Sequence, residues 1–427
     1  MKETISLIIA FLLFTSFPPA HAESKTFIKE YSYQASEDDS RNSSRTLALR
    51  EVKRLLLEEL GTYLESVTEV QNFQLTKDQI TTLTAGIVMT EVVDDKWDGR
   101  IYWLKAKITV DSAAVIKSID TLRKDRVKTK ELEEIRKHSD ALLKENERLR
   151  KELHLAKGKK RPEAEAAYDK TIKELTAIEW KENGISYVLS SQYNDAIDAL
   201  SKAIELNPKE GLSYELRGVA YFALGNYKQA IADYNEAIKL DPKFARTYYG
   251  RGITYNALGN YKQAIADYNK AIKLDPKFAM AYGGRGLTYY DLGNYKQAID
   301  DLDKALEQKS EFNALYYYFR GCAYGALGNY NMAIEDFNTA IKLNPKNAEP
   351  YFKRGLIYGT LSNYQQMIQD MEMVIKLTPK NAEAYHIRGR AYGLLGNNFL
   401  EINDAKIAAR LGFKEAQDYL RKQGIDW

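Results

Sequence analysis

Two periodic series of charged side chains are the residues in this sequence whose types and spacing could do chemistry. Each member of the basic series directly precedes a glycine, and the series comprises Arg217, Arg251, Arg285, Arg320, Arg354 and Arg388. The acidic series comprises Asp233, Asp267, Asp301, Asp336, Asp370 and Asp404. An upstream segment holds Asn183 and Ala199 in the two corresponding places, so the series are present together and absent together. We interpret them as partners in a structural ion-pair ladder, and the alternative is a repeated site for anions or cations.

No set of nucleophiles, acids or metal ligands predicts catalysis. The sequence has no phosphate-binding loop, no H-E-x-x-H and no paired His and Cys ligands. The single cysteine, Cys322, has no partner for a disulfide within the chain, and we expect it to fill a helical core or groove position. The net charge of +3 leaves no basic stripe for nucleic acid. We therefore predict no enzyme, no cofactor, no metal and no nucleic-acid partner.

The charged series lie within a longer repeated pattern. Residues 224–245, "LGNYKQAIADYNEAIKLDPKFA", recur at 258–279 with one exchange, Glu236 for Lys270. A glycine recurs at steps of 34 or 35 residues, with a tyrosine three residues after it each time. Each unit is typical of two helices: the glycine allows a close helix crossing, "LGN" makes the turn and a proline ends the second helix. Because a lone helix pair cannot bury both its faces, the units must stack.

This pattern resembles the tetratricopeptide repeat (TPR). The first unit shows the motif at Trp180, Gly184, Tyr187, Ala196, Ala203 and Pro208. The resemblance implies a mainly α fold, a superhelical solenoid of α-α repeats. We place seven repeats at 177–415 and a C-terminal capping helix at 416–427.

The resemblance also implies that the first helices line a concave groove. The groove residues it indicates are Phe222, Tyr249, Ile253, Asn256, Leu287, Tyr290, Tyr318, Cys322 and Leu356. Such a surface suits a protein or peptide partner bound through apolar and aromatic contacts. The alternative is that several of these residues belong to the core between repeats. A clamp for a C-terminal carboxylate is not expected, because Ile185 and Val219 stand where that clamp needs asparagine.

The first 22 residues are typical of a secretory signal peptide. Lys2 precedes the apolar run "ISLIIAFLLF" (5–14), and Ala20-His21-Ala22 forms an A-x-A cleavage site. The run is short for a helix across a bilayer of about 30 Å, although an uncleaved anchor is the alternative. We expect a mature chain that begins near Glu23, lacks a membrane span, and is periplasmic or secreted.

Residues 23–115 are predicted to form a small α+β domain. An alternating strand at 25–35 precedes an amphipathic helix at 38–67, and two β-rich runs flank "DDKWDG" with its hairpin signal Asp98-Gly99. One face of the last strand is apolar: Tyr102, Leu104, Ala106, Ile108 and Val110. The region resembles the N-terminal domain of FlgT-type flagellar assembly proteins, which implies an envelope-associated binding module.

Residues 116–160 are predicted to form a coiled-coil helix, followed by a lead-in helix at 161–176. The heptad seam of the coiled-coil helix consists of Leu132, Ile135, Ser139, Leu142, Asn146, Leu149, Leu153 and Ala156. A buried asparagine at one seam position favours a fixed register and a dimer, so we predict a possible homodimer through residues 132–156. The alternative is a solvated single helix that acts as a spacer.

The leading functional prediction is an exported TPR scaffold or adaptor. It would hold another envelope protein or peptide in its groove, in envelope assembly or secretion. In a second hypothesis the N-terminal module anchors an envelope structure and the repeats serve as a spacer and oligomerisation surface. In a third, residues 23–115 conceal an enzyme.

Overall fold

A computed structural model of the chain describes residues 24–69, 77–85, 87–112, 114–116, 118–119, 126–158, 160–308 and 312–427. These residues form two compact units, one that ends at Lys243 and one that runs from Phe244 to Trp427. The predicted fold class is confirmed, since helical repeats dominate the chain and a small antiparallel sheet lies near its N-terminus. The predicted signal peptide lies outside the described residues.

The sheet of the first unit has three strands, β1 (Ser24–Gln34), β2 (Glu91–Trp97) and β3 (Ile101–Asp111). Their order is β1-β3-β2, and both pairings are antiparallel. The Asp98-Gly99 turn joins β2 to β3: Asp98 Oδ1 accepts hydrogen bonds from the backbone N–H groups of Arg100 (2.8 Å) and Ile101 (2.7 Å). Gly99 has φ +97°, a conformation that favours glycine, which explains the hairpin signal.

Two helices cover one face of this sheet. They are α1 (Arg41–Glu69) and α2 (Lys77–Ala85). The apolar face of β3 is buried as expected, in a core with α1 side chains such as Leu56 and Leu60. The opposite face carries Lys105 and Lys107, which form ion pairs with neighbouring strands. The sheet therefore has one wet side, as its alternating pattern predicts.

The next two helices, α3 (Arg126–Leu155) and α4 (Lys160–Leu189), pack against each other. Leu149 and Leu153 of the α3 seam share a buried cluster with Tyr168 and Ile172 of α4. Asn146 is also buried, at 2% exposure. The seam predicted to face a second chain is therefore occupied within one chain. The homodimer predicted through residues 132–156 is not shown, and the C-terminal part of its seam is buried against α4 instead.

Helix α4 is continuous through the predicted lead-in segment and the first helix of the first repeat. The first unit continues with α5 (Tyr193–Leu206), α6 (Gly211–Ala223) and α7 (Tyr227–Leu240). Thus the first repeat pairs the end of α4 with α5, and the second repeat pairs α6 with α7.

The second unit contains the remaining repeats as five helix pairs and a last helix. The first helices of the pairs are α8 (Ala245–Ala257), α10 (Ala279–Asp291), α12 (Asn313–Ala326), α14 (Ala348–Thr360) and α16 (Ala382–Leu394). The second helices are α9 (Tyr261–Leu274), α11 (Tyr295–Glu307), α13 (Tyr330–Leu343), α15 (Tyr364–Leu377) and α17 (Asn398–Arg410). The last helix, α18 (Lys414–Lys422), packs Ala416 and Leu420 against the buried alanines of α17.

Candidate functional site

The first helices of the second unit form one continuous surface. Consecutive members from α8 to α14 contact each other directly: α8 with α10, α10 with α12, and α12 with α14. Each first helix also packs on the second helix of its own repeat. This arrangement follows from the repeat itself, because equivalent positions of identical units must face the same way. Eight of the nine predicted groove residues lie on these first helices.

The groove residues differ in how far they reach the surface. Leu356 is exposed, at 36%, while Tyr249, Tyr290 and Cys322 are partly buried. Four others are buried, and these are Ile253, Asn256, Leu287 and Tyr318. The ninth, Phe222, lies on α6 in the first unit, where its ring centroid is 5.6 Å from that of Tyr227. The surface therefore combines a few accessible side chains with a layer beneath them that packs repeat on repeat.

Aromatic contacts hold the accessible tyrosines in place. The Tyr249 ring meets the edge of Phe278 at a centroid distance of 5.2 Å. Tyr290 makes the same kind of contact with Phe319, at 5.3 Å. Edge-to-face pairs of this kind add about 0.5–1.5 kcal/mol beyond the burial of their area. The rings are thus preorganised, which lowers the entropic cost of contact with a partner.

Asn256 is an unusual polar group on this surface. It follows Tyr249 and Ile253 on one face of α8, at the helical spacing i, i+4 and i+7. Its side chain is only 3% exposed, and its Oδ1 atom is buried without a hydrogen-bond partner. An unsatisfied buried acceptor costs about 1–3 kcal/mol, so a donor supplied by a bound molecule would recover this energy.

Cys322 lies between two of the groove tyrosines. The hydroxyl groups of Tyr318 and Tyr290 both form hydrogen bonds with its thiol. Burial nevertheless raises the pKa of Cys322 to about 11, so the thiol stays protonated near neutral pH. The side chain is therefore a packing and hydrogen-bonding group rather than a nucleophile.

We expect Cys322 to react slowly with iodoacetamide while the protein is folded. At about pH 8, a thiol with its raised pKa contains about 100-fold less thiolate than an ordinary cysteine, and only the thiolate reacts. Mass spectrometry would compare labelling rates for the native protein and for the protein unfolded in urea at the same pH. Equal rates would contradict the assignment of Cys322 as a partly buried, unreactive thiol.

The structure brings the two charged series together as six Arg–Asp pairs, each within one repeat. Nε and Nη2 of each arginine donate to the two carboxylate oxygens of its aspartate, at distances from 2.5 to 2.9 Å. The aspartate side chains are 3–9% exposed and the arginine side chains 17–19%. This bidentate geometry is the strongest form of the Arg–carboxylate contact.

Sequence reasoning missed two further contacts of the ladder arginines. In four repeats Nη1 donates to a polar side chain of the preceding second helix, and the acceptors are Ser201, Asn269, Asp303 and Asn338. The guanidinium group also lies over tyrosine rings of its own helix, as Arg217 does between Tyr214 and Tyr221. Each of these arginines therefore joins two repeats. The signal in the sequence was a polar residue two places after the ladder aspartate, or after Ala199 in the first repeat.

The energy balance of the ladder follows from its burial. Loss of hydration raises the pKa of the Asp301, Asp336 and Asp370 carboxyl groups, although their arginines act in the opposite direction. The cost of desolvation thus offsets much of the attraction, as is common for buried ion pairs. Intact pairs add little net stability, whereas an arginine left without its aspartate would be strongly destabilising.

Comparison with known families supports the repeat assignment. The family described as "TPR repeat" matches residues 218–259 and 321–362. The family described as "Tetratricopeptide repeat" matches 245–278, 279–312 and 348–381. No curated protein matches the chain. The resemblance of residues 23–115 to FlgT-type proteins is not confirmed by any of these matches and stays a prediction.

Several solved structures are similar to parts of the chain. YrrB, described as a TPR protein with an unusual peptide-binding site, is 24% identical, with 42% of this chain and 92% of YrrB covered and a TM-score of 0.39. MamA is 30% identical over 39% of this chain and 96% of its own, with a TM-score of 0.37. A tetratricopeptide repeat protein from Parabacteroides merdae is 25% identical over 58% and 98%, with a TM-score of 0.42.

The family matches fall on the helix pairs that the structure shows. Their spans contain the repeated glycines and the tyrosines that follow them by three residues. Their spans cover the second repeat through the sixth, and the structure gives the outer repeats the same two-helix form. The chain therefore contains an array of tetratricopeptide repeats, which the family models match within residues 218–381.

Proposed function

We propose that the chain is an exported scaffold that holds another envelope protein, or a peptide segment of one, against the first helices of its second unit. The tetratricopeptide-repeat array is a protein-protein interaction fold, and such arrays are generally not enzymes. The observation that carries the proposal is the buried acceptor of Asn256 beside the fixed tyrosine rings. Envelope assembly or secretion is the process in which we place this scaffold.

A bound peptide would use the surface in two ways. A backbone N–H group would donate to Asn256 Oδ1, which has no donor in the structure. Apolar or aromatic side chains of the peptide would contact Tyr249, Tyr290 and the exposed Leu356. Polar contacts would then set the register of the peptide while apolar contacts supply most of the affinity.

Export rests on the signal-like sequence of residues 1–22. Among the described residues, no helix combines the length and apolar character needed to cross a bilayer. Protein recovered from the envelope fraction should begin near Glu23. A chain that retains Met1 and stays in the cytoplasm would contradict the export part of the proposal.

Site-specific photo-crosslinking would test the binding surface. A benzophenone amino acid would replace Leu356, on first helix α14, or Met332, which is 44% exposed on second helix α13. The full chain would be expressed in cells and illuminated, and the crosslinked products identified by mass spectrometry. We expect a protein crosslinked at position 356 and not at 332, with the product lost when Asn256→Leu is added.

The outcomes separate this proposal from the hypothesis of an envelope anchor. A product that forms at 332, or that survives Asn256→Leu, would place recognition away from the first helices. If no product forms at 356 and binding of the partner depends on residues 24–112, the N-terminal module is favoured as the binding part and the repeats as a spacer. Circular dichroism would establish that each variant is folded.

A further inference from the structure

Four helices of the first unit line a cavity of 550 Å³. Its walls come from α1, α2, α3 and α4, which are distant from one another in the sequence. Pockets that hold small molecules typically have volumes of about 300–1,000 Å³. The scaffold function proposed above does not use this cavity.

The walls combine apolar and charged side chains. Leu57, Ile135 and Leu143 contribute apolar surface, and four basic and five acidic side chains surround it. Because the two signs nearly balance, the cavity is unsuited to a polyanion such as a nucleotide and to a polycation. A small molecule that carries one charge of each sign would match it better.

Two of these charges already neutralise each other, since Lys53 Nζ lies 2.6 Å from Glu182 Oε2. Arg54 likewise pairs with Glu58, at 2.6 Å, and with Glu51. The first pair joins α1 to α4, and the Arg54 pairs lie within α1. The unmatched groups are elsewhere in the lining.

Glu179 on α4 is the unmatched acid. Its side chain is 9% exposed, and its nearest cation, Arg45 Nη1, lies 3.9 Å from Oε1, which is beyond hydrogen-bond distance. The other oxygen, Oε2, is buried without a partner. Burial raises the pKa of Glu179, which shows how poorly its charge is compensated. An ammonium group in the cavity would donate to Oε1, whose nearest cation lies beyond hydrogen-bond distance.

Arg50 on α1 is the unmatched base. Its Nη1 donates to Ser139 Oγ, its Nη2 to the Leu175 carbonyl oxygen at 3.4 Å, and its Nε is buried without a partner. Both acceptors are neutral, and no carboxylate of the described residues lies within ion-pair distance of this guanidinium. A ligand carboxylate would give the Arg50 guanidinium the charged acceptor that it lacks, since arginine binds carboxylates with two parallel hydrogen bonds.

The spacing of the two groups limits the ligand. The Arg50 guanidinium contacts the carbonyl of Leu175, and Glu179 is four residues further along α4. One such turn of helix rises about 6 Å. A ligand that contacts both groups must therefore carry its ammonium and its carboxylate close together, as an α-amino acid does.

The geometry points to a binding site for a free α-amino acid with an apolar side chain. Its ammonium group would donate to Glu179, its carboxylate would accept from Arg50, and its side chain would pack on Leu57, Ile135 and Leu143. The site lies within the first unit, so it is independent of the proposed peptide surface. Either proposal can fail without the other.

Calorimetric titration of the full chain would test this site with L-leucine, L-methionine and L-phenylalanine. Each probe would be compared with its N-acetyl form, which lacks the ammonium group, and its amide, which lacks the carboxylate. We expect the free amino acid to bind at least about tenfold more tightly than either blocked form, because each charged hydrogen bond contributes about 1.5–3 kcal/mol. No binding by any of the three would overturn the proposal, as would equal binding of the blocked forms.

Variants would assign the two contacts. Glu179→Gln should weaken binding of the free amino acid at least about tenfold yet leave binding of the N-acetyl form unaffected. Arg50→Gln should also weaken binding of the free amino acid at least about tenfold, but leave binding of the amide unaffected. Glu174→Gln is the matched control, because Glu174 lies on the same helix and, among the described residues, pairs only with Lys170, at 3.9 Å. If a variant fails to fold, the blocked probes on the unaltered chain still decide. Unchanged affinity in folded Glu179→Gln would contradict the assignment.

Discussion

Asp370→Asn is expected to lower the free energy of unfolding by about 3 kcal/mol, the usual cost of removing one partner of a buried ion pair. Among the described residues, Asp370 is the only carboxylate paired with Arg354, and the other side chain that accepts from this arginine, Asn338, is neutral. The asparagine amide would replace one of the two carboxylate oxygens with an NH₂ group. That NH₂ group would face an N–H donor of the Arg354 guanidinium, so one hydrogen bond would be lost. Arg354 would remain 18% exposed and largely cut off from water. Urea denaturation followed by circular dichroism would measure the loss.

Two further variants make this result specific to burial. Glu307→Gln removes a carboxylate from an exposed ion pair with Lys304, in which both side chains are 55% exposed, and should leave the urea midpoint unchanged. The double variant Arg354→Met with Asp370→Leu should be more stable than Asp370→Asn alone, because no unpaired charge remains buried. An Asp370→Asn protein as stable as the unaltered chain would rule out a structural ladder and favour the repeated ion site.

The repeat array could be predicted from the sequence because its period reports packing directly. A glycine, tyrosine, alanine and proline at fixed places in each unit describe how one helix pair meets the next. The sheet was readable for a similar reason, since the alternation from Tyr102 to Val110 separates a buried face from a wet one. In both cases the signal is local and repeats along the chain.

The heptad seam shows where this reasoning stops. A heptad period indicates that one stripe of a helix is buried, but it does not say which chain buries it. Ser139 and Asn146 were interpreted as features of a dimer, and in the structure their helix packs within its own unit. The difference lies in α4, whose apolar stripe begins directly after α3 and is always within reach.

The two candidate sites were predictable to different degrees. Family resemblance located the first helices of the array, but it could not separate surface residues such as Leu356 from buried ones such as Leu287. Both kinds recur with the same period, because the inner helices also pack on each other. The cavity gave no signal at all, since Arg50 and Glu179 come together only when distant helices pack.

Gly283→Ala is the second change expected to have a large effect, and it should destabilise the second unit by about 2 kcal/mol. Alanine normally favours a helix over glycine by about 1 kcal/mol, so propensity alone predicts the opposite sign. A Cβ atom at Gly283, however, would lie under 3.0 Å from three atoms of the Tyr316 side chain. Tyr316 is 3% exposed and packed between repeats, so overpacking should outweigh propensity.

A double-mutant cycle would test this explanation through a change of sign. In a Tyr316→Ala background the obstructing ring is gone, and Gly283→Ala should then stabilise the protein by up to about 1 kcal/mol through helix propensity. Urea denaturation of the four proteins measures both effects. If Gly283→Ala destabilised the two backgrounds equally, the ring contact would not be its cause. The reversal would show that Gly283 permits the close approach of two first helices from consecutive repeats.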